Sequence, residues 1–289
     1  MRRFLPLLIL FLGARACGPA PGKPPEKIVV ITNVNIVEVE TGTIRTRLAV
    51  VIREGRISAI AKHAIIQESS QIVVVNGEGK YLIPGLWDMR IRLVEGTDLQ
   101  HAKSVMVPLL LANGVTGVRD TGVDSAALKE LRREVERGEL PGPRMVTAAA
   151  PDGPVIVVHD LAEARAAVES LHKRPAPARL LVGTDSVPGV DPGLALHREL
   201  QLLVEAGLTP LEALRAATLN PAHFLGKDKE MGGVETGKLA DLVLLDANPL
   251  EDIRNLDKID GVVAAGRYFS RRDLDEMLSQ AEAAAKDKK

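Results

Sequence analysis

Aromatic side chains are nearly missing from this 289-residue chain, which has one Trp, two Tyr and four Phe. Hydrophobic residues still make up 46% of it, so the core has to be aliphatic, built from Val, Leu, Ile and Ala. A surplus of charge is missing too. The net charge of −1 provides no basic field to attract nucleic acid or anionic lipid, which argues against nucleic acid as a partner. A single cysteine excludes a disulfide framework. There is no Walker loop, no Gly-x-Gly-x-x-Gly and no Ser-His-Asp set, and "GTDSVPG" (183–189) is no phosphate cradle because no Lys-Ser/Thr follows it.

The longest apolar run, "FLPLLILFLG" from Phe4 to Gly13, is too short to span a bilayer. It follows Arg2 and Arg3 and precedes Ala14-Arg15-Ala16, the pattern of a secretory signal over residues 1–16. An exported, envelope-located bacterial protein is the expectation. Cys17 falls directly after the cleavage pattern and has two readings, a stray thiol or a lipidated residue that would attach the chain to a membrane. Residues 17–27 are a Pro/Gly tether.

From Ile28 the chain reads as β-structure, with "KIVVITNVNIVEV" and "RLAVVIREGRISAIA" broken by "ETGT" and "REGR" turns. "KLADLVLLDA" and "IDGVVAAGRYFS" supply similar pieces near the far end. A composite β-sandwich over 28–82 and 233–270, built from both chain ends, is predicted. Between them, over 83–232, strands alternate with helices: 98–114, 124–143, 160–173, 193–207 and 209–226. Alternation of this kind calls for a parallel sheet with active groups at strand C-termini. Residues 271–289 form a terminal helix and charged tail.

Five segments in order carry a resemblance: "YLIPGLWDM", "GVTGVRD", "VGTDSVPG", "LTPLEALRAATLNPAHFLG" and "GKLADLVLLDANPLEDI". Together they resemble the amidohydrolase superfamily, in its imidazolonepropionase-like and Xaa-Pro dipeptidase-like branch, over nearly all of 28–280. The resemblance implies a (β/α)8 TIM-type barrel, a divalent metal such as zinc, and hydrolysis of the C–N bond of a small amide or dipeptide. It also implies that Asp185 binds metal and acts as general base.

Two departures stand against that activity. Where the family reads His-x-His, this chain has Arg90 and Arg92, which share a face of the strand but have no lone pair to give a metal. From Asp88 to Asp185 is 185 − 88 = 97 residues, room for about three β-α steps at roughly 30 residues each where a full barrel needs seven. The barrel is therefore predicted to be incomplete, lacking the positions of the other metal ligands. Substrate-contact candidates are Arg90, Arg92 and His197, with Asp88 beside the arginines as a further anion-site or ion-cluster member. The bland reading of Asp185 is a carboxylate paired with Arg90 or Arg92. Three functions remain open: an active metal-dependent amidohydrolase, a metal-free degenerate homologue binding an anion or protein partner, and a functionless deletion product. A shortened barrel should also bare sheet edges and apolar faces, and so self-associate.

Overall fold

The computed structural model describes residues 27–62, 69–94, 98–147, 155–173, 179–185 and 191–286. The signal and tether, with Cys17, lie outside these residues, as does the loop 186–190.

Five strands come first: β1 (Ile28–Glu38), β2 (Thr43–Arg53), β3 (Arg56–Ala61), β4 (Ile72–Asn76) and β5 (Tyr81–Pro84). β1 runs antiparallel to β2 along its length, and pairs in parallel with β4 through its first half and with β5 through its second. Register shifts between Ile31 and Ile36 make this possible. Asn33 sits there at φ 58°, a left-handed conformation that Asn tolerates better than most residues.

The chain then enters a curled half-barrel. β6 (Leu86–Ile91), β7 (Val115–Asp120) and β8 (Arg144–Thr147) pair in parallel, and β9 (Val155–Ile156) pairs in parallel with β10 (Leu181–Val182). Backbone contact places β10 beside β6: the Asp185 N–H donates to the Arg90 carbonyl at 2.7 Å. A Cβ on Gly183 would lie 2.4 Å from the Arg90 nitrogen, so only glycine lets the two segments meet. After β6, α1 (Leu99–His101) passes through a π-helical turn, Ala102–Met106, into α2 (Val107–Ala112). Pro108 has no N–H to return to the preceding turn, and the wider turn accommodates that loss.

The remaining helices are α3 (Ala126–Glu136), α4 (Leu161–His172), α5 (Pro192–Glu205), α6 (Pro210–Ala216), α7 (Leu219–Phe224) and α8 (Arg271–Lys286). Their starts follow side-chain chemistry. Ser125, Asp160, Asp191 and Thr209 each accept a backbone N–H, and Thr209 with Glu212 completes a capping box. The 209–226 segment, a single helix on sequence grounds, breaks at Thr218 into α6 and α7.

Three strands from the chain end, β11 (Leu242–Leu245), β12 (Ile259–Ala264) and β13 (Arg267–Ser270), return to β5 through β11. The sheet order is β13-β12-β11-β5-β1-β2-β3, with β4 on β1. Strands from both chain ends thus form one composite β-domain as predicted, their hydrogen bonds linking all eight in one sheet in which bulged β1 pairs with three neighbours. β11 is buried on both sides. Leu242 and Leu244 face a core with Ile31, Val34 and Leu82, while Val243 and Leu245 join the larger core of the helices. Two-sided burial explains why "LVLL" shows no polar alternation.

A third cluster fills the arc of the half-barrel. Trp87 and Met89 from β6 and Leu181 from β10 pack with Ala222 of α7 and Met231. Val146 and Val155, from the outermost strands β8 and β9, reach the same cluster, so the arc's two ends curl over one core. Trp87 lies flat on Gly117, whose Cβ position would be 2.0 Å from the indole. The bare apolar faces expected of a short barrel are thus covered: among the described residues the exposed large hydrophobics are only Val74, Val123 and Leu194.

Candidate functional site

The strand ends β6 and β10 bring three predicted residues together. The Arg92 Nη2 donates to Asp185 Oδ1 at 2.8 Å, and Arg90 Nε lies 3.5 Å from the same oxygen. Two fixed cations therefore share one carboxylate. All three side chains remain partly open to solvent, at 28–38% exposure. Asp185 is held at φ 53°, a left-handed conformation costing a non-glycine residue about 1–3 kcal/mol, and its backbone bond to Arg90 offsets part of that. The nearest approach of Arg90 to Asp185 is through Nε.

Asp88 does not join this open cluster. It is completely buried, accepting the Arg90 N–H at 3.0 Å and the Thr184 N–H at 3.2 Å, with the Thr184 hydroxyl donating at 2.6 Å. Burial pushes its carboxyl up to about 7 despite these bonds, and the Asp185 charge adds to the rise. Behind it stands Glu199 of α5, 2% exposed, which accepts the Val158 N–H at 3.1 Å. Its other oxygen, Oε2, is buried without a partner. Burial and then the neighbouring Asp88 raise Glu199 well above the usual range. Two buried carboxyls thus support the arginine cluster from below. The Asp88 position was legible as strand, whereas Glu199 was not singled out in "HRELQLLVEAG"; a charge among the apolar positions of a helix was the available signal.

His197 was a substrate-contact candidate whose alternative readings were solvent exposure or packing on its helix. The packing reading describes it: His197 is 2% exposed, with Nδ1 2.8 Å from Asp257 Oδ1 and Nε2 2.9 Å from the Asn113 carbonyl. Both partners are acceptors, so neither ring nitrogen is left for a ligand, and His197 ties α5 to the segments before β7 and β12. His159 is exposed, and Glu163 receives its backbone N–H at 2.7 Å, so it belongs to the start of α4. Sequence reading also passed over Arg119. This buried arginine of β7 donates to the Met89 carbonyl at 3.2 Å and lies 5.4 Å from the Phe224 ring centroid, a cation–π arrangement within the arc.

A divalent ion does not fit this donor set. Asp185 is already held by two guanidinium groups, and Asp120, which ends β7, is buried and accepts the Leu93 and Gly122 N–H groups at 2.8 Å. A catalytic zinc needs three protein ligands and an open position. Among the described residues no group of three or more His, Cys, Asp or Glu side chains could hold a metal.

Comparison with known proteins places these observations. Residues 155–268 match the amidohydrolase family model. The chain is 28% identical over 204 residues to an imidazolonepropionase of Geobacillus sp. (strain WCH70), covering 69% of this chain and 42% of that protein. It is 43% identical over 77 residues to an ochratoxinase of Aspergillus niger, 26% of this chain and 15% of that one. It therefore spans less than half the length of these curated relatives. A crystal structure of a Xaa-Pro dipeptidase with methionine bound in its active site superposes with a TM-score of 0.66 at 18% identity, over 84% of this chain and 100% of the other, a likeness of fold. The chain thus carries an amidohydrolase match over 155–268, is similar in sequence to imidazolonepropionases, and shares its fold with a Xaa-Pro dipeptidase.

Proposed function

We propose that this chain is a metal-free amidohydrolase relative in which an ion-paired cluster stands where a metal centre would be, and that it does not hydrolyse small amides or dipeptides at an enzymatic rate. The observation that carries this reading is the 2.8 Å contact of Arg92 with Asp185, reinforced by Arg90. Guanidinium stays protonated at any working pH, so it repels a divalent ion and cannot ligate one. Water without a metal keeps a pKa of about 15.7, far from the value of about 7 that zinc confers. An oxygen of Asp185 already engaged by two cations is a poor base for so weak an acid.

The test is elemental analysis of purified protein after zinc exposure, together with turnover on a panel of dipeptides and N-acyl amino acids. The expected result is far less than one zinc per chain and no turnover above buffer. The double variant Arg90→His, Arg92→His should recover neither. Stoichiometric zinc with dipeptide hydrolysis in the wild-type chain would instead establish the active-enzyme reading that the family's relatives suggest.

A further inference from the structure

We infer that the outer edge of β4 pairs antiparallel with β4 of a second copy of this chain, about a two-fold axis at Val74, and joins two β-domains into one sheet. The surface shares no residue with the arginine cluster, so it stands independently of the proposed function.

Backbone pairing leaves that edge open. A parallel ladder engages alternate residues of a strand. The Ile28 N–H donates to the Gln71 carbonyl at 2.8 Å, and the Gly77 N–H donates to the Thr32 carbonyl at 2.7 Å. Residues 71, 73, 75 and 77 thus face β1, and the peptide groups of Ile72, Val74 and Asn76 point the other way. The Ile72 N–H turns to the Ser69 carbonyl at 3.0 Å. Among the described residues β4 pairs with no strand except β1. The Ile72 carbonyl, the Val74 N–H and C=O and the Asn76 N–H are what this edge presents, and that pattern is its own complement under a two-fold rotation. Val74 exchanges both backbone bonds with Val74 of the second copy, and each Asn76 N–H meets the Ile72 carbonyl of the other chain. The side chains agree. Val74 is 52% exposed, whereas Val75, on the opposite face, is 7% exposed and packs in the β-domain core. The stretch "SSQIVVVNG" (69–77) has neither charge nor proline, the devices that keep natural strand edges apart. The outer strands of the sheet are better guarded. β3 opens on Arg56, and Ile57 already bonds through its backbone to Gly237 and Lys238. β13 opens on Arg267 and runs directly into α8. A foreign partner would have to bring a neutral strand of matching pattern; a second copy presents one in register.

The test is sedimentation equilibrium of the full chain and its Val74 variants. Wild type should dimerise, and Val74→Thr, neutral and strand-favouring, should match it. Val74→Lys should raise the dimer dissociation constant about tenfold, because the two-fold axis places residue 74 about 5.5 Å from its own copy and sets like charges opposite one another. Val74→Glu should do the same. An equimolar mixture of Val74→Lys and Val74→Glu should recover dimers, since opposite charges then face each other; that recovery also shows that both variants fold. A wild-type chain that stays monomeric at every concentration, Val74→Lys as dimeric as wild type, or a mixture no more dimeric than its components overturns the proposal.

Discussion

Replacing Asp88 by Asn isolates the electrostatics of the buried layer. Asp88 is wholly inaccessible, and the groups facing it are the Arg90 and Thr184 N–H donors, the Thr184 hydroxyl, and the Asp185 and Glu199 carboxyls. Its folded carboxyl holds a proton to about pH 7, against an ordinary value of 3.8. The folded chain therefore binds more protons than the unfolded chain between those limits, so stability falls as pH rises through the window. At about 1.4 kcal/mol per pH unit the full effect is about 4 kcal/mol, of which about 3 kcal/mol lies between pH 5 and pH 8. Asn keeps an acceptor for the two backbone donors and turns its amide toward the Thr184 hydroxyl, but it cannot ionise. The assay is urea denaturation of wild type and Asp88→Asn at pH 5 and pH 8. Wild type should lose midpoint at pH 8 by about 1 M, for a slope of about 3 kcal/mol per M. Asp88→Asn should lose much less, the remainder coming from Glu199. Equal loss in the two proteins would refute the assignment of a raised Asp88.

Gly117→Ala places a methyl where the Trp87 indole lies, 2.0 Å away, and should cost about 1–3 kcal/mol while shifting the emission of the only tryptophan toward the red. Unchanged emission and an unchanged urea midpoint would show that the indole does not rest on that glycine. Self-association is expected through strand edges rather than bare apolar faces, since among the described residues β8 pairs only with β7 and β9 only with β10. Light scattering across a concentration series should show dimers or larger species, and a monomer at every concentration counts against it.

How much of the molecule could be read in advance depended on the range of the interaction. Thr209 with Pro210 and Glu212, and Asp160 with Glu163, announce helix starts because capping is settled within four residues. The place of Arg90 and Arg92 at a strand end was equally legible, since period two and the following loop are local features. Asn33 was not. Its register shift lets β1 serve three partners, and only those partners make the shift worthwhile. Nor was the role of His197, whose two acceptors lie 84 and 60 residues away in sequence.

By itself the sequence determined an aliphatic core, a near-neutral charge, strands at both ends of a helical middle, and two arginines at alternate positions of a strand end. Those are properties of composition and short spacing, which no packing can alter. Tertiary structure alone decided that Asp185 reaches both arginines, that Asp88 and Glu199 are buried together beneath them, and that Trp87 packs inside the arc with Leu181, Ala222 and Met231. Each depends on segments about 80 to 140 residues apart being pressed together, and desolvation takes effect only once they are.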